Sequence, residues 1–287
     1  MFLMESPLNS ANFPYNHFGG VFNWTMTYRI DSDVRSPYGW IAPISEPTKG
    51  PWETDLTLED GNFSVSGLKS LILGKKKLVA WIVTNCDTHS QREDYVAELR
   101  KHINVDVFGK CGKNKCTEKG PENCFRQIHK SYKFYLSFEN SWCKDYVTEK
   151  FWNALNSSMV PVVLGGADYS SLAPPNSFID ASKYTPKELA TLLKNLDQDD
   201  DALIKYLTWK TNYIVSPVNT NHFRFCDLCS RLHQPSRSKV YRDISEWWGG
   251  QTHPRPHTCK KKGTFPWSKP DSLAKMLNKF FQVVFGW

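Results

Sequence analysis

The sequence predicts an α/β protein built on a doubly wound parallel sheet, and three observations carry that reading. Residues 78–83 (LVAWIV) and 160–164 (VPVVL) are short, continuous apolar runs, the pattern of strands buried on both faces. Between and after them lie stretches with helical spacing. Residues 91–102 put Tyr95, Val96 and Leu99 on one side. Thr185-Pro186-Lys187-Glu188 is a capping box with proline at the first helical position, leading into a stripe of Leu189, Leu192, Leu193 and Leu196. Finally, residues 132–155 (YKFYLSFENSWCKDYVTEKFWNAL) read as an apolar strand, a turn at Glu139-Asn140-Ser141 and a helix opening at Thr148-Glu149-Lys150. Such a unit places a loop and a helix start at the carboxyl end of a parallel sheet, where nucleotides bind in α/β proteins.

The remaining segments fill out the same alternation. Residues 104–108 and 134–138 read as strands, 109–125 as a cysteine-rich loop, and 201–209 as a helix after a solvated acidic connection at 197–201. Upstream, residues 21–30 (VFNWTMTYRI) are strand-like among Pro- and Gly-bearing loops, and 60–77 read as a polar crossover ending in three lysines. Residues 272–285 fit an amphipathic helix, or an end that packs nowhere.

Lysine and arginine exceed aspartate and glutamate by seven (36 − 29), which fits an acidic partner. The surplus is spread out, with dense runs only at 75–77 and 260–262. Each reads as a solvated loop, so nucleic acid is not expected as a partner. The eight cysteines lean towards an oxidising compartment, as do the sequons at Asn23, Asn62 and Asn156. Asn62, in a polar run, is the best candidate for glycosylation. No apolar run reaches the roughly 18–20 residues a membrane span needs. Secretory cysteines without an entry signal lead to the expectation that the natural amino terminus is missing.

Two solutions exist for neutralising a diphosphate, and the chain has candidates for both. Asp31-Ser32-Asp33, just after a strand-like segment, matches an Asp-x-Asp metal pattern. Lys150 at one helix start and Arg92 at another are the protein-cation alternative. Cys226-Asp227-Leu228-Cys229 with His233 is open to zinc or redox readings, although no second Cys-x-x-Cys exists. Cys111, Cys116 and Cys124 stand in one loop, where a local bridge is expected.

Several of these segments follow one family's wording. Residues 132–155 and 80–92 (AWIVTNCDTHSQR), with Glu5-Ser6-Pro7, residues 21–33 and Pro37-Tyr38-Gly39, resemble the α1,3-fucosyltransferases of glycosyltransferase family 10, which transfer fucose from GDP-fucose. The resemblance runs from Glu5 to about Trp248, with residues 109–124 and 160–180 nearest to arthropod members. It implies a GT-B type α/β fold of two Rossmann-like domains, the amino-terminal one incomplete. Residues 1–75 would be the end of the acceptor-side domain with the crossover, 76–250 the GDP-fucose-binding domain, and 251–287 a tail with no family counterpart.

The resemblance also implies roles. Arg92 and Lys150 would hold the pyrophosphate, while Tyr135, Asn140, Tyr146, Val147 and Glu149 contact the nucleotide-sugar. Glu5 would be the general base. The reaction would be inverting transfer of L-fucose to the 3-hydroxyl of GlcNAc in a glycan, without a metal ion or other cofactor. The partners would be GDP-fucose and that glycan, and the place the Golgi lumen, with membrane contact only through an anchor absent from this chain. In that family the late Cys-x-x-Cys forms disulfides, partly to upstream cysteines, which makes Cys226 and Cys229 disulfide candidates beside Cys111, Cys116 and Cys124. The alternatives are a non-catalytic remnant that binds GDP or glycan, and a metal-dependent transferase using Asp31 and Asp33.

Overall fold

Strands with apolar residues on both sides need a layer on each face, and that requirement shapes the molecule. The computed structural model describes residues 2–4, 15–45, 65–117, 121–217, 224–233, 239–248, 259–260 and 262–267. In chain order these form strands β1 (Phe2–Met4), β2 (Thr25–Thr27), β3 (Val34–Arg35) and β4 (Gly39–Pro43), then helix α1 (Val65–Leu73), β5 (Lys77–Ile82), α2 (Arg92–Leu99), β6 (Val105–Phe108) and α3 (Pro121–Ile128). There follow β7 (Tyr132–Phe138), α4 (Glu149–Asn156), β8 (Val160–Leu164), β9 (Ile179–Asp180), α5 (Pro186–Gln198), α6 (Asp200–Ile204), β10 (Tyr213–Pro217), α7 (Arg224–Leu232) and α8 (Ile244–Trp248).

Five of the strands make one parallel sheet in the order β6-β5-β7-β8-β9. Val79 pairs with Val105 on one side and Phe134 on the other, and Leu136 pairs with Val162. The first strand of this unit, β5, thus lies between the second and the third. The chain reverses its winding direction there, which creates a topological switch point between β5 and β7. Alternation distributes the side chains. Val79, Trp81, Phe134, Leu136, Phe138, Val162 and Leu164 meet Tyr95, Leu99, Leu189 and Leu193 on one face. Ala80 and Tyr135 meet Cys124, Ile128, Ala154 and Met159 on the other.

The first part of the chain is tied to this unit. β1, β2 and β3 form a small parallel sheet, whereas β4 pairs antiparallel with β10. Gly39, at the start of β4, faces Trp152 of α4 so closely that a Cβ there would lie 2.2 Å from the indole Cγ. Only a residue without a side chain permits that approach.

Several expectations change. The strand-like stretch 21–30 narrows to Thr25–Thr27. The crossover is not simply polar loop: it contains α1, whose Leu68 and Ile72 are buried. Lys75 is buried as well and donates to the His129 and Tyr132 carbonyls. The acidic connection is structured: Asp199 caps α6, Asp197 and Asp200 pair with Lys133, and Asp201 reaches Lys69. Part of the cysteine loop is helix α3.

The local disulfide is Cys116–Cys124, while Cys111 bonds Cys86 and Cys143 bonds Cys259. Of the disulfide candidates, Cys226 and Cys229 are instead free thiols on exposed α7, and the other six cysteines pair among themselves. The tail does pack, through residues 259–260 and 262–267, whereas Glu5, Asn62 and residues 272–285 lie outside the described residues.

Both arms of the predicted capping box form: Thr185 Oγ1 accepts from the Glu188 amide, and the Glu188 carboxylate accepts from the Thr185 amide. Thr185→Ala should therefore cost about 1 kcal/mol, and Phe134→Ala, fully buried in the sheet core, about 3–5 kcal/mol. Urea denaturation measures both; equal losses at the two sites would contradict this division between cap and core.

Candidate active site

The site grows from the end of β7. The strand delivers Glu139 to a position with no solvent exposure, where a carboxylate needs several donors. It obtains them from the next helix: the Thr148 amide at 2.8 Å, the Thr148 hydroxyl at 2.8 Å and the Lys150 ammonium at 3.5 Å. Thr148 precedes α4, yet its side chain makes no cap bond to that helix. It is spent on Glu139 and on accepting from Lys150 at 2.7 Å. Lys150 also pairs with the more exposed Glu149 at 3.0 Å.

The electrostatics follow from this packing. Burial raises the Glu139 pKa, with Lys150 opposing. For Lys150 burial disfavours the charge, but Glu139 and then Glu149 outweigh it and raise its pKa. Burial acts upwards on Glu149 too, and the Lys150 charge more than reverses it. At neutral pH Lys150 is an ammonium held in place by two acids.

Arg92 arrives from the neighbouring strand. The loop after β5 carries Thr84 and Asn85 and closes into α2, which Arg92 opens. The guanidinium is 2% exposed and donates to the Phe138 carbonyl and to the Asn85 carbonyl at 3.4 Å, with the Trp81 ring 5.6 Å away. Burial lowers its pKa, Glu139 and Glu93 oppose that, and an arginine so placed stays charged. Ser90 joins the two loops: its amide donates to the Asn140 carbonyl at 3.1 Å and its hydroxyl to the Glu139 carbonyl at 2.6 Å.

Between these loops lies a cavity of about 400 Å³, lined by Thr84, Asn85, Arg92, Tyr135, Asn140, Glu149, Lys150 and Asn153. It sits at the carboxyl ends of β5 and β7, at the switch point. Two of its polar atoms are buried with no hydrogen-bond partner among the described residues: Arg92 Nε, a donor, and Asn140 Oδ1, an acceptor. Buried polar groups are normally paired, and these two belong to residues that line the same cleft. α2 likewise starts without a side-chain cap, so two uncapped helix starts flank the same cleft, a setting suited to an anion.

Five of the seven residues expected to contact the nucleotide-sugar line this cavity: Arg92, Tyr135, Asn140, Glu149 and Lys150. The other two do not. Tyr146 is buried against Tyr28, with ring centroids 4.9 Å apart. Val147 lines a larger cavity of about 630 Å³ on the other side of α4, with aromatic walls at Tyr28, Trp40 and Trp152 and the acids Asp145, Asp168 and Asp227 at its edge. Sequence reasoning passed over Glu139 and Thr148, which hold the cleft together. The available signal was an acid directly after an apolar strand, followed nine residues later by a helix-starting threonine.

Asp31 and Asp33, the metal alternative to the protein-cation reading, are each already paired with basic side chains. Asp31 is taken by Arg29 at 2.6 Å and approached by Lys144 at 3.8 Å. Asp33 accepts from Lys239 at 2.6 Å, from Tyr241 at 2.7 Å and from the Thr25 amide at 2.9 Å. Each carboxylate is neutralised by its own cation and they fasten the small sheet, which leaves no joint site for a divalent ion. The described residues contain no cluster of three or more metal-ligating side chains.

Fold and cleft together define a doubly wound α/β protein with an anion-directed site at its switch point. The chain belongs to glycosyltransferase family 10, the fucosyltransferases: the family's profile "Glycosyltransferase family 10 (fucosyltransferase) C-term" matches residues 72–247, and "Fucosyltransferase, N-terminal" matches residues 1–39. It is 39% identical over 258 residues to alpha-(1,3)-fucosyltransferase C of Drosophila melanogaster, covering 86% of this chain and 59% of that protein. To glycoprotein 3-alpha-L-fucosyltransferase A of the same fly it is 37% identical, covering 87% of this chain and 47% of that protein. The chain thus spans about half to three-fifths of these relatives' length. Its fold is of the GT-B type, as in a crystal structure of an alpha1,3-fucosyltransferase with GDP-fucose, at a TM-score of 0.52 and 17% identity over 83% of this chain and 76% of that one.

The pairing at Asp33 has a pH signature. Burial pushes its pKa up, but the bonds from Lys239, Tyr241 and Thr25 outweigh that and lower it. A folded pKa below the unfolded one gives stability that is complete above the unfolded value and is lost as pH falls through the folded one. Thermal unfolding of wild type and Asp33→Asn should differ fully above about pH 5, keep most of that gap at about pH 4, and converge only as pH falls through the lowered folded pKa. A constant gap across that range would contradict the assignment.

Proposed function

We propose that this chain carries the donor machinery for inverting transfer of L-fucose from GDP-fucose to the 3-hydroxyl of a GlcNAc residue in a glycan. The observation that carries it is the switch-point cleft, in which Arg92 and Lys150 meet beside an unpaired donor and acceptor. The fly relatives are named as α1,3-fucosyltransferases and the structural neighbour is described with GDP-fucose, which supports the same reading.

The cleft geometry supports the donor steps, and the family resemblance supplies the role of Glu5. The diphosphate sits against Lys150 and Arg92 and the uncapped starts of α2 and α4, and the two cations stabilise the charge that develops as GDP departs. Protein cations thus do the work that a divalent metal does in other transferases, and no metal is required. Asn140 lines the wall against which the donor rests, and the half-exposed Glu149 accepts from hydroxyls at the cleft's edge. The larger cavity suits the acceptor: pyranose faces pack on Tyr28, Trp40 and Trp152, and the acids take hydroxyl hydrogen bonds. Glu5 removes the acceptor proton, the sugar passes through an oxocarbenium-like state, and attack opposite the leaving group inverts the anomeric centre. The Golgi lumen is the setting we assign to this reaction, and the cysteine usage supports it. Among the described residues no helix is long and apolar enough to cross a membrane.

The test is transfer by the purified chain from GDP-fucose to a panel of GlcNAc-bearing glycans, read by mass spectrometry with and without EDTA. Product that survives EDTA is expected. Arg92→Ala and Lys150→Ala should each weaken GDP binding about 10- to 100-fold, while Glu5→Gln keeps GDP affinity and loses transfer. Abolition by EDTA would overturn the protein-cation mechanism. A folded chain that binds GDP without forming product would make it a donor-binding remnant.

A further inference from the structure

The family profile ends at residue 247, yet a later segment grips the cleft. Cys259 is disulfide-bonded to Cys143, in the turn after β7, and the Lys260 amide donates to the Trp142 carbonyl at 2.9 Å. From there the chain crosses to the loop before α2. Lys262 pairs with Asp87, the Gly263 amide donates to the Gln91 side chain, and Trp267 Nε1 donates to the Ser90 carbonyl at 3.3 Å. Its rings close the contact: Phe265 stacks on Trp267 with centroids 5.1 Å apart, and both lie on Trp142, at 5.5 and 5.6 Å. Trp267 also meets Tyr95 of α2 edge-on at 5.4 Å.

The two turns so bridged are the walls of the cleft. Trp142 follows Asn140 by two residues, and Gln91 immediately precedes Arg92. Gln91 has φ 51°, a left-handed conformation that a non-glycine residue holds only when its surroundings impose it. Its side chain is engaged on both sides, donating to Asp94 at 3.1 Å and accepting from Gly263. Strained backbone, the arginine it aims and the tail that restrains it are consecutive links.

We propose that residues 259–260 and 262–267 are a positioning clasp for the donor cleft: tethered through Cys143–Cys259, they lock the Asp87–Gln91 turn against the Glu139–Cys143 turn and so fix Arg92 and Asn140 for the diphosphate ligand. Trp267 and Gln91 act through Arg92 and touch no substrate. The proposal rests on the reading of the cleft as the donor site, and its test separates the two.

GDP is titrated calorimetrically at 25 °C into the full oxidised chain and into Lys150→Ala, Trp267→Ala, Trp267→Phe, Lys262→Ala and Cys259→Ser. Hydrogen exchange is followed at the amides of residues 88–92. Loss of affinity in Lys150→Ala alone establishes the donor site. The clasp then predicts about tenfold weaker GDP binding in Trp267→Ala and Cys259→Ser, with faster exchange at 88–92 and partial rescue in Trp267→Phe. Lys262→Ala, which removes only a surface ion pair, keeps the comparison open if another variant fails to fold, with an expected loss of two- to threefold, on the order of a partial contact. Unchanged GDP affinity and exchange in the clasp variants, with Lys150→Ala impaired, overturns the clasp and leaves the donor site standing. Failure of wild type to bind GDP overturns both.

Discussion

A single buried carboxylate organises the site. Glu139 stands at the end of the central strand, out of contact with water, and a charge so placed persists only if donors surround it. Those donors come from the start of the next helix, through the Thr148 amide and hydroxyl and the Lys150 ammonium. The requirement therefore fixes where α4 begins, how it sits on the sheet, and where its lysine points. Replacing the carboxylate would release three constraints together.

This arrangement solves the difficulty of keeping cations ready in a dry cleft. Desolvation works against charge on both Lys150 and Arg92. Glu139 lies close enough to offset it for each, and Glu149 adds to the effect on the lysine. Neither acid consumes the cations fully: Lys150 keeps 16% of its side-chain surface exposed and Arg92 retains an unpaired Nε. Two cations held in fixed positions beside one cleft are what preorganised electrostatic stabilisation of an anion requires.

Much of this was legible in the sequence where local chemistry decides the outcome. The strand 160–164 appeared with the predicted bounds, and both arms of the Thr185–Glu188 box formed, because apolar continuity and capping depend on neighbours in the chain. Five of the residues expected to contact a nucleotide-sugar line one cavity because strand order places the β5 and β7 loops side by side. What stayed hidden depends on distant partners. Lys75 and Asp33 look like solvated charges until carbonyls and lysines over fifty and two hundred positions away surround them. The same holds for Cys143, whose partner lies 116 residues downstream. The aspartates at 31 and 33 left an alternative open for a further reason: a short acidic pattern serves a metal or a pair of basic side chains equally well, and only the neighbours tell which.

The central claim is that the cleft at the switch point recognises a diphosphate through Lys150. Its most direct measurement is the affinity gap between GDP and guanosine, taken by calorimetry in wild type and in Lys150→Ala. A wide gap in wild type that largely closes in the variant is the expected result. An equal gap in both proteins would contradict the claim.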